Sequence, residues 1–430
     1  MRAMPAPVRA LQIVYSMNRA GVETWLMDVL RHSDRAGLRM DFMTDTTEPG
    51  DFDDEIRRLG GRVIPCTRAA RPLQHAREFR RILRDGGGYD IVHSHVAHSG
   101  FELAIAATCG VPVRIAHSHN DIQQFFPPDR LRRLFLKVTN PWVRRFATHG
   151  LAASAAAAAA MFGNNWKSDR RWQVLFCGRD LSAFAPPAEP RRLDFCRQFG
   201  LPDDARVVGH VGRLAEQKNH ALLLDIAEQV LSRRQDVHFV LVGDGPLRDR
   251  VLGEIERRGM AGRVHWIGVR DNVADLMLHL FDLFLFPSLF EGLGLVLVEA
   301  QAAGLPCIIS SVIPQEVDVV EELMTRLSLE EPAERWADCV LSQLDGEPPV
   351  PREDAYRQMQ NSPFTVEQSC RQLLELYHDA LRDVAESAGH SVAAGGAMSS
   401  PSLSRSGEAT GDGHPAEPNS GGRFRSAADE

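Results

Sequence analysis

The chain has 430 residues, 44% of them hydrophobic and 25% charged, with a formal net charge of -8. That length exceeds one ordinary core and implies two domains of roughly 150–200 residues each, while the acidic balance argues against nucleic acid as a partner. The 7 cysteines lack C-x-x-C spacing, which suggests neither a disulfide framework nor a cysteine zinc site and fits a reducing cytosol.

The opening "MRAMPAPVRALQIVYSMNRAGVE" has a short apolar run broken by Gln12, without the sustained core of a secretion signal. From there β-type runs alternate with helical patterns: "ALQIVYSM" then "VETWLMDVLRH", "YDIVHSHV" then "FELAIAATCG", and "PVRIAHSH". The basic stretch "RLRRLFLKVTNPWVRRF", residues 130–146, interleaves arginines with Leu, Phe and Trp. It reads as an amphipathic element drawn to anionic lipid, or as a surface helix whose arginines pair with acids elsewhere. The run "AASAAAAAAMF" predicts a buried helix, since alanine is the best helix former and small side chains pack closely. A linker follows in "FCGRDLSAFAPPAEPRRLDF", marked by Pro186, Pro187 and Pro190.

A second series begins after Arg206 with "VVGHVG", "VHFVLVG", "VHWIG", "LFLFPS" and "PCIISS". Such alternation is the pattern of parallel α/β layers with helices on both faces. The expected organisation is a doubly wound domain over 1–185, a second over 186–365, an amphipathic helix over 366–388 and a Gly-, Ser- and Pro-rich disordered tail over 389–430. The most apolar segment, "LMLHLFDLFLFPSLF", contains His279, Asp282 and Pro287 and falls short of the roughly 20 residues that span a bilayer.

Two constellations carry the chemistry. In "SLFEGLGLVLVEAQAAGLP" a strand ends at Pro287, Gly292 and Gly294 permit a tight loop, and a helix follows. Glu291 stands in the loop and Glu299 is the only charge on the helix. Buried carboxylates need partners; an isolated Glu299 would snorkel to water or accept from backbone. Two carboxylates at the mouth of an open sheet suit a ligand with vicinal hydroxyls. In "HVGRLAEQKNHALLLDIAEQVL" a strand ends at Gly212, Arg213 and Lys218 flank a loop, and Asn219 sits at a helix cap. Two cations beside a helix N-terminus suit a diphosphate, with a solvated loop as the plain alternative.

Taken in order and spacing, "GRLAEQKN", "VGDGPLRDRV", "VHWIG" and "FEGLGLVLVEAQAAGLPCIIS" resemble the C-terminal half of the retaining glycosyltransferases of family 4, which have the two-domain GT-B fold. In the N-terminal half, "AGVETWLMDVL", "YDIVHSHV" and "VPVRIAHSHND" are similar to members that build bacterial exopolysaccharides, and the resemblance covers roughly residues 10–380. It implies that Arg213 and Lys218 hold the diphosphate of a nucleotide-sugar donor and Glu299 accepts from ribose hydroxyls. It places Glu291 near the donor sugar, with the backbone of Gly292, Leu293 and Gly294 approaching sugar and phosphate. Relatives carry two adjacent glycines before "VET"; here Ala20 precedes Gly21. Gly21 is still expected to let amides approach a phosphate, provided Ala20 keeps an ordinary φ.

Histidines cluster at His93, His95 and His98 and again at His117 and His119. H-x-H spacing places two imidazoles on one face of a strand, a pattern also seen in metal sites. No cysteine or acidic set in the sequence accompanies them, and the family resembled is generally metal-independent, so neither a metal nor a cofactor is expected beyond the nucleotide-sugar co-substrate. The resemblance implies one catalytic histidine facing the donor sugar, His119 or its neighbour His117, together with Glu291. His93, His95 and His117 are acceptor-side candidates, with strand-end hydrogen bonding as the alternative.

The expected activity is retaining transfer from a UDP-sugar to a glycan or lipid-linked glycan, in the cytoplasm or at the inner face of the plasma membrane. A sugar-nucleotide epimerase, a pyridoxal-dependent phosphorylase and an inactive scaffold of an export complex are the competing readings.

Overall fold

The computed structural model describes residues 7–34, 37–67, 72–96, 99–119, 139–187, 189 and 191–395. The first lobe is built on β1 (Val8–Val14), β2 (Leu38–Thr44), β3 (Val63–Pro65), β4 (Ile91–Ser94), β5 (Val113–Ser118), β6 (His149–Ala152) and β7 (Trp172–Val174). They form one sheet in the order β3-β2-β1-β4-β5-β6-β7, parallel throughout. The second lobe contains β8 (Arg206–Val211), β9 (Val237–Val242), β10 (Val264–Trp266), β11 (Leu283–Phe286), β12 (Cys307–Ser310) and β13 (Met324–Leu327), ordered β10-β9-β8-β11-β12-β13 and also parallel. Each sheet starts in its middle, winds to one edge and returns to the other side. The order therefore reverses between β1 and β4 and between β8 and β11, and ligands of open α/β sheets bind outside the carboxyl ends of the strands at such points.

The central strands are buried along their length, as "LFLF" in β11 illustrates, because helices cover both faces of a parallel sheet. Of the strands that escaped the sequence reading, β3, β7 and β13 are short edge elements, β2 carries exposed charge at Arg39, and the interior β6 is a four-residue HGLA without the β-branched residues that mark a strand. The alanine run forms the helix Ala155–Phe162, whose Ala157, Ala158 and Ala160 are buried. Its N-cap is Ser154, whose Oγ accepts from the Ala157 N–H.

A single apolar layer joins the lobes, running through Trp25 and Phe42, then Phe286 and Leu297, to Phe364 and Tyr377. Among the described residues the chain passes between the lobes twice, and the two passages lie side by side. Arg179 N–H donates to the Phe364 carbonyl at 2.8 Å, and Val366 N–H donates to the Arg179 carbonyl at 2.9 Å. The terminal helix Val366–Gly395 extends past the expected end at 388. It returns to the first lobe, where Ser369 Oγ accepts from Trp25 Nε1 at 2.8 Å and Tyr377 meets Gln12.

The tail from 396 and the first part of the basic stretch, 130–138, lie outside the described residues. Residues 139–146 are helical, with Val143 buried and Arg144 and Arg145 exposed. Among the described residues no helix is long and apolar enough to cross a membrane.

Candidate active site

Two loops at the carboxyl ends of β8 and β11 meet. After β8 the chain turns through Gly212 to Lys218 and enters the helix His220–Arg233 at Asn219, which adopts a left-handed backbone and makes no side-chain cap. The Lys218 stem crosses Gly212, where a Cβ would stand 3.1 Å from Lys218 Cε. Its ammonium lies 2.5 Å from Glu291 Oε1 and 4.4 Å from the Phe286 ring centroid. Glu291 is 7% exposed, so this cation is the partner its burial demands. Gln217, which the sequence reading did not single out, closes the junction. Its Nε2 donates to the Phe290 carbonyl at 3.1 Å and to Glu291 Oε2 at 3.2 Å, and its own carbonyl accepts from Leu289 N–H at 2.8 Å. Its place beside Lys218 in a strand-end loop was the one signal available.

Gly294, in the left-handed region at φ 86, turns the second loop into the helix Leu295–Ala302. Glycine is needed there because other residues resist that backbone. The same holds at Gly243 (φ 127), where a Cβ would run into the Gly212 carbonyl.

Across the crevice the first helix, Gly21–His32, begins against this loop. A Cβ on Gly21 would stand 3.7 Å from Leu295 Cδ1. Ala20 is extended, at φ -137 and ψ 170, an ordinary backbone for alanine. Two helix N-termini thus share one space with Lys218 and with the exposed Arg213, an arrangement suited to an anion. Glu23, another residue the sequence reading passed over, is half-buried in the first turn. Desolvation pushes its carboxyl up to about 7, opposed by its own backbone hydrogen bond and by the charge of Arg213.

Glu299 has a cation of its own. Its Oε1 accepts from Arg179 Nε at 2.7 Å, and Arg179 Nη1 lies 2.5 Å from Asp28 Oδ2 on the first helix. Burial lowers the Arg179 pKa, and the two carboxylates outweigh it, leaving the guanidinium above its usual value. The carboxylate expected to await a ribose is therefore part of an ion triad joining the lobes.

The histidines of β4 and β5 form one cluster. His93 and His117 are 0% exposed, while His95 and His119 are half-buried at the rim. His93 Nε2 lies 3.2 Å from His117 Nδ1, and His95 Nδ1 lies 2.8 Å from His119 Nε2. Around them stand Tyr377 Oη, 2.8 Å from His93 Nδ1, Gln12 Oε1, 2.8 Å from His95 Nε2, and Cys177 Sγ, 3.7 Å from His119 Nδ1. The sequence reading found no cysteine near these histidines; the fold brings Cys177 to them from 58 positions away. Burial holds all four imidazoles below the usual histidine range, His119 at about 3. They are neutral at physiological pH. His98 lies outside the described residues.

Family models for the glycosyl transferases group 1 and for glycosyltransferase family 4 match residues 192–361 and 19–183 respectively. Over 337 residues, 77% of this chain and 86% of the relative, the sequence is 37% identical to EpsF of Bacillus subtilis (strain 168), a glycosyltransferase by name. It is 30% identical over 232 residues to the UDP-Gal:alpha-D-GlcNAc-diphosphoundecaprenol alpha-1,3-galactosyltransferase of Escherichia coli, covering 52% of this chain and 58% of that one. Among solved structures, Anabaena Alr3699/HepE in complex with UDP and glucose matches with a TM-score of 0.73 at 21% identity, over 86% of this chain and 100% of the other.

Proposed function

Because the chain belongs to the group 1 glycosyl transferases, family 4, of the exopolysaccharide type with the GT-B fold, we propose that it transfers a sugar with retention from a UDP-sugar to a glycan or lipid-linked glycan. The observation that carries this reading is the contact between Lys218 and Glu291, 2.5 Å apart, where two strand-end loops meet beside two helix N-termini. Lys218 and Arg213 take the donor diphosphate, with the amides at Gly21 and over Gly292, Leu293 and Gly294 completing its cradle. Glu291, neutralised by Lys218, is poorly placed to be a nucleophile and well placed to accept from a sugar hydroxyl. Glu299 remains our candidate for the ribose, sharing its carboxylate with Arg179.

In the transfer step the bond from the anomeric carbon to the diphosphate oxygen breaks as the acceptor oxygen bonds to that carbon from the same face. The acceptor proton passes to the departing β-phosphate. His119, at the rim, closes the sugar end of the crevice against water, and His93, His95 and His117 lie behind it on the acceptor side. With two cations and two helix starts on the diphosphate, the step needs no divalent ion there. The UDP in the Anabaena complex and the UDP-Gal in the name of the Escherichia coli relative support the donor; the diphosphoundecaprenol in that name supports a lipid-linked acceptor. Such an acceptor supports a cytoplasmic enzyme working at the inner face of the plasma membrane, with the exposed Arg144 and Arg145 turned toward anionic lipid.

The test is the double variant Arg213→Ala, Lys218→Ala. Turnover should fall by roughly 10²–10³ or more, as when a transition-state charge partner is removed; losing Lys218 also strands buried Glu291 and lowers stability, so circular dichroism checks the fold and the single variant of exposed Arg213, Arg213→Ala, should lose turnover with its melting temperature unchanged. Near-normal turnover rejects the diphosphate assignment. The anomeric configuration of the first-formed product, read by NMR, tests retention separately.

A further inference from the structure

We propose that His210 is a positioning residue for the donor diphosphate: its ring bridges β8 to β11 where the two strands part and sets the depth at which Lys218 meets the phosphates. The inference rests on the diphosphate reading of Lys218 above. β8 and β11 are the pair between which the order of the second sheet reverses. Their register covers only Val208 opposite Leu283 and Gly209 opposite Phe284. One residue further the side chain makes the link, and His210 Nδ1 lies 2.9 Å from the Leu285 carbonyl. A carbonyl only accepts, so Nδ1 carries the proton and Nε2 is left as a lone pair. Burial above all, with His220 and Lys218 adding to it, holds the ring well below the usual histidine range and therefore neutral.

The ring is the floor of the lysine loop. It is 1% exposed. Phe284 and Phe286 lie along it with centroids 6.5 and 5.7 Å away, and His220 meets it edge-on at 5.1 Å. His220 is buried at the far end of the loop, just past Asn219, which has the one left-handed non-glycine backbone among the described residues. At the near end a Cβ on Gly212 would stand 3.2 Å from His210 Nε2 and 3.1 Å from Lys218 Cε. The imidazole and the lysine stem thus share the space that a side chain at 212 would fill. Beyond them the Lys218 ammonium lies 4.4 Å from the centroid of Phe286, whose ring in turn stacks with His210. Gln217 ties the lysine and glutamate loops at the top, and His210 ties their strands at the base.

The imidazole touches no substrate and moves no proton. It acts through Lys218: without the Nδ1–H the strands part further and the ammonium retreats from the phosphates, where a displacement of about 1 Å is enough to matter.

The experiment is UDP binding by the full chain, measured by calorimetry. His210→Leu keeps much of the ring's bulk without its N–H and should weaken UDP binding roughly 10-fold or more, the effect of losing a hydrogen bond to a charged group. His210→Gln, whose amide reaches toward the place of Nε2, should do the same. His210→Asn puts an amide N–H near the place of Nδ1 and should restore most of the affinity. In Lys218→Ala, itself weaker for UDP, adding His210→Leu should change little, because the ring acts through that lysine. Circular dichroism checks each fold, and the Asn and Gln variants decide the matter if His210→Leu is misfolded. Undiminished UDP affinity in folded His210→Leu or His210→Gln overturns the inference. Equal loss in His210→Asn and His210→Leu does so too, since the ring's shape would then be what counts, as does a full further loss in the Lys218→Ala background. UDP binding that is absent in wild type, or untouched by Lys218→Ala, rejects the donor reading and this inference with it.

Discussion

Glu23 holds its proton up to about pH 7 at the mouth of the crevice, beside Arg213, the cation we propose for the diphosphate. A carboxyl whose folded value lies above its unfolded value of 4.5 contributes most below that lower value. The contribution is lost as pH rises from there through about 7. Ionised Glu23 also competes with phosphate for the guanidinium. Donor KM should therefore rise with pH across neutrality in wild type and stay flat in Glu23→Gln, and the melting temperature of the variant should lose the matching slope. Parallel KM profiles for the two proteins would remove Glu23 from the donor site. The residue was invisible in the sequence because a glutamate in the first turn of an amphipathic helix is an ordinary helix-start acid; its significance comes from Arg213, 190 positions later in the chain. That the loops of Lys218 and Glu291 belong to one site was readable, since both follow strands of one α/β half; their direct ion pair was not, because each residue was read as meeting a separate ligand group.

At the scale of elements the ion triad of Asp28, Arg179 and Glu299 fastens the first helix to the helix Leu295–Ala302. All three side chains are at most 15% exposed, so removing the central cation strands two carboxylates in a poorly solvated place. Arg179→Met should cost about 3–5 kcal/mol, the usual penalty for breaking a buried pair, measured by urea unfolding. A loss under 1 kcal/mol would mean that water reaches the triad. This triad shows where a linear reading stops. The E-x(7)-E spacing was plain, yet Arg179 sits 120 positions before Glu299 in the segment read only as a linker. The histidines behave alike: H-x-H spacing showed two same-face pairs, whereas the register that brings four rings together is a property of the β4–β5 pairing.

For the whole molecule, the terminal helix belongs to the first lobe although the chain reaches it only after completing the second. Leu373 and Tyr377 are fully buried there, and Trp25 donates to Ser369. A chain ending at 395 should melt as the full protein does, whereas one ending at 365 should lose cooperative unfolding of the first lobe, because Trp25, Gln12 and His93 are left without their cover. Scanning calorimetry of the two truncations decides this; an unchanged first-lobe transition in the shorter chain would contradict it. The helix itself was legible from its amphipathic period, but that period says only that one face needs a partner and not which lobe provides it.

The two strand-end loops of the second lobe are stapled by Gln217 into one jaw. Among the described residues the covalent passages between the lobes, at Arg179 and at 364–366, run hydrogen-bonded beside each other and so define a single axis. On the proposed reading, departure of the nucleotide requires the opposite jaw to swing about that hinge, and slowing the swing should then lower turnover.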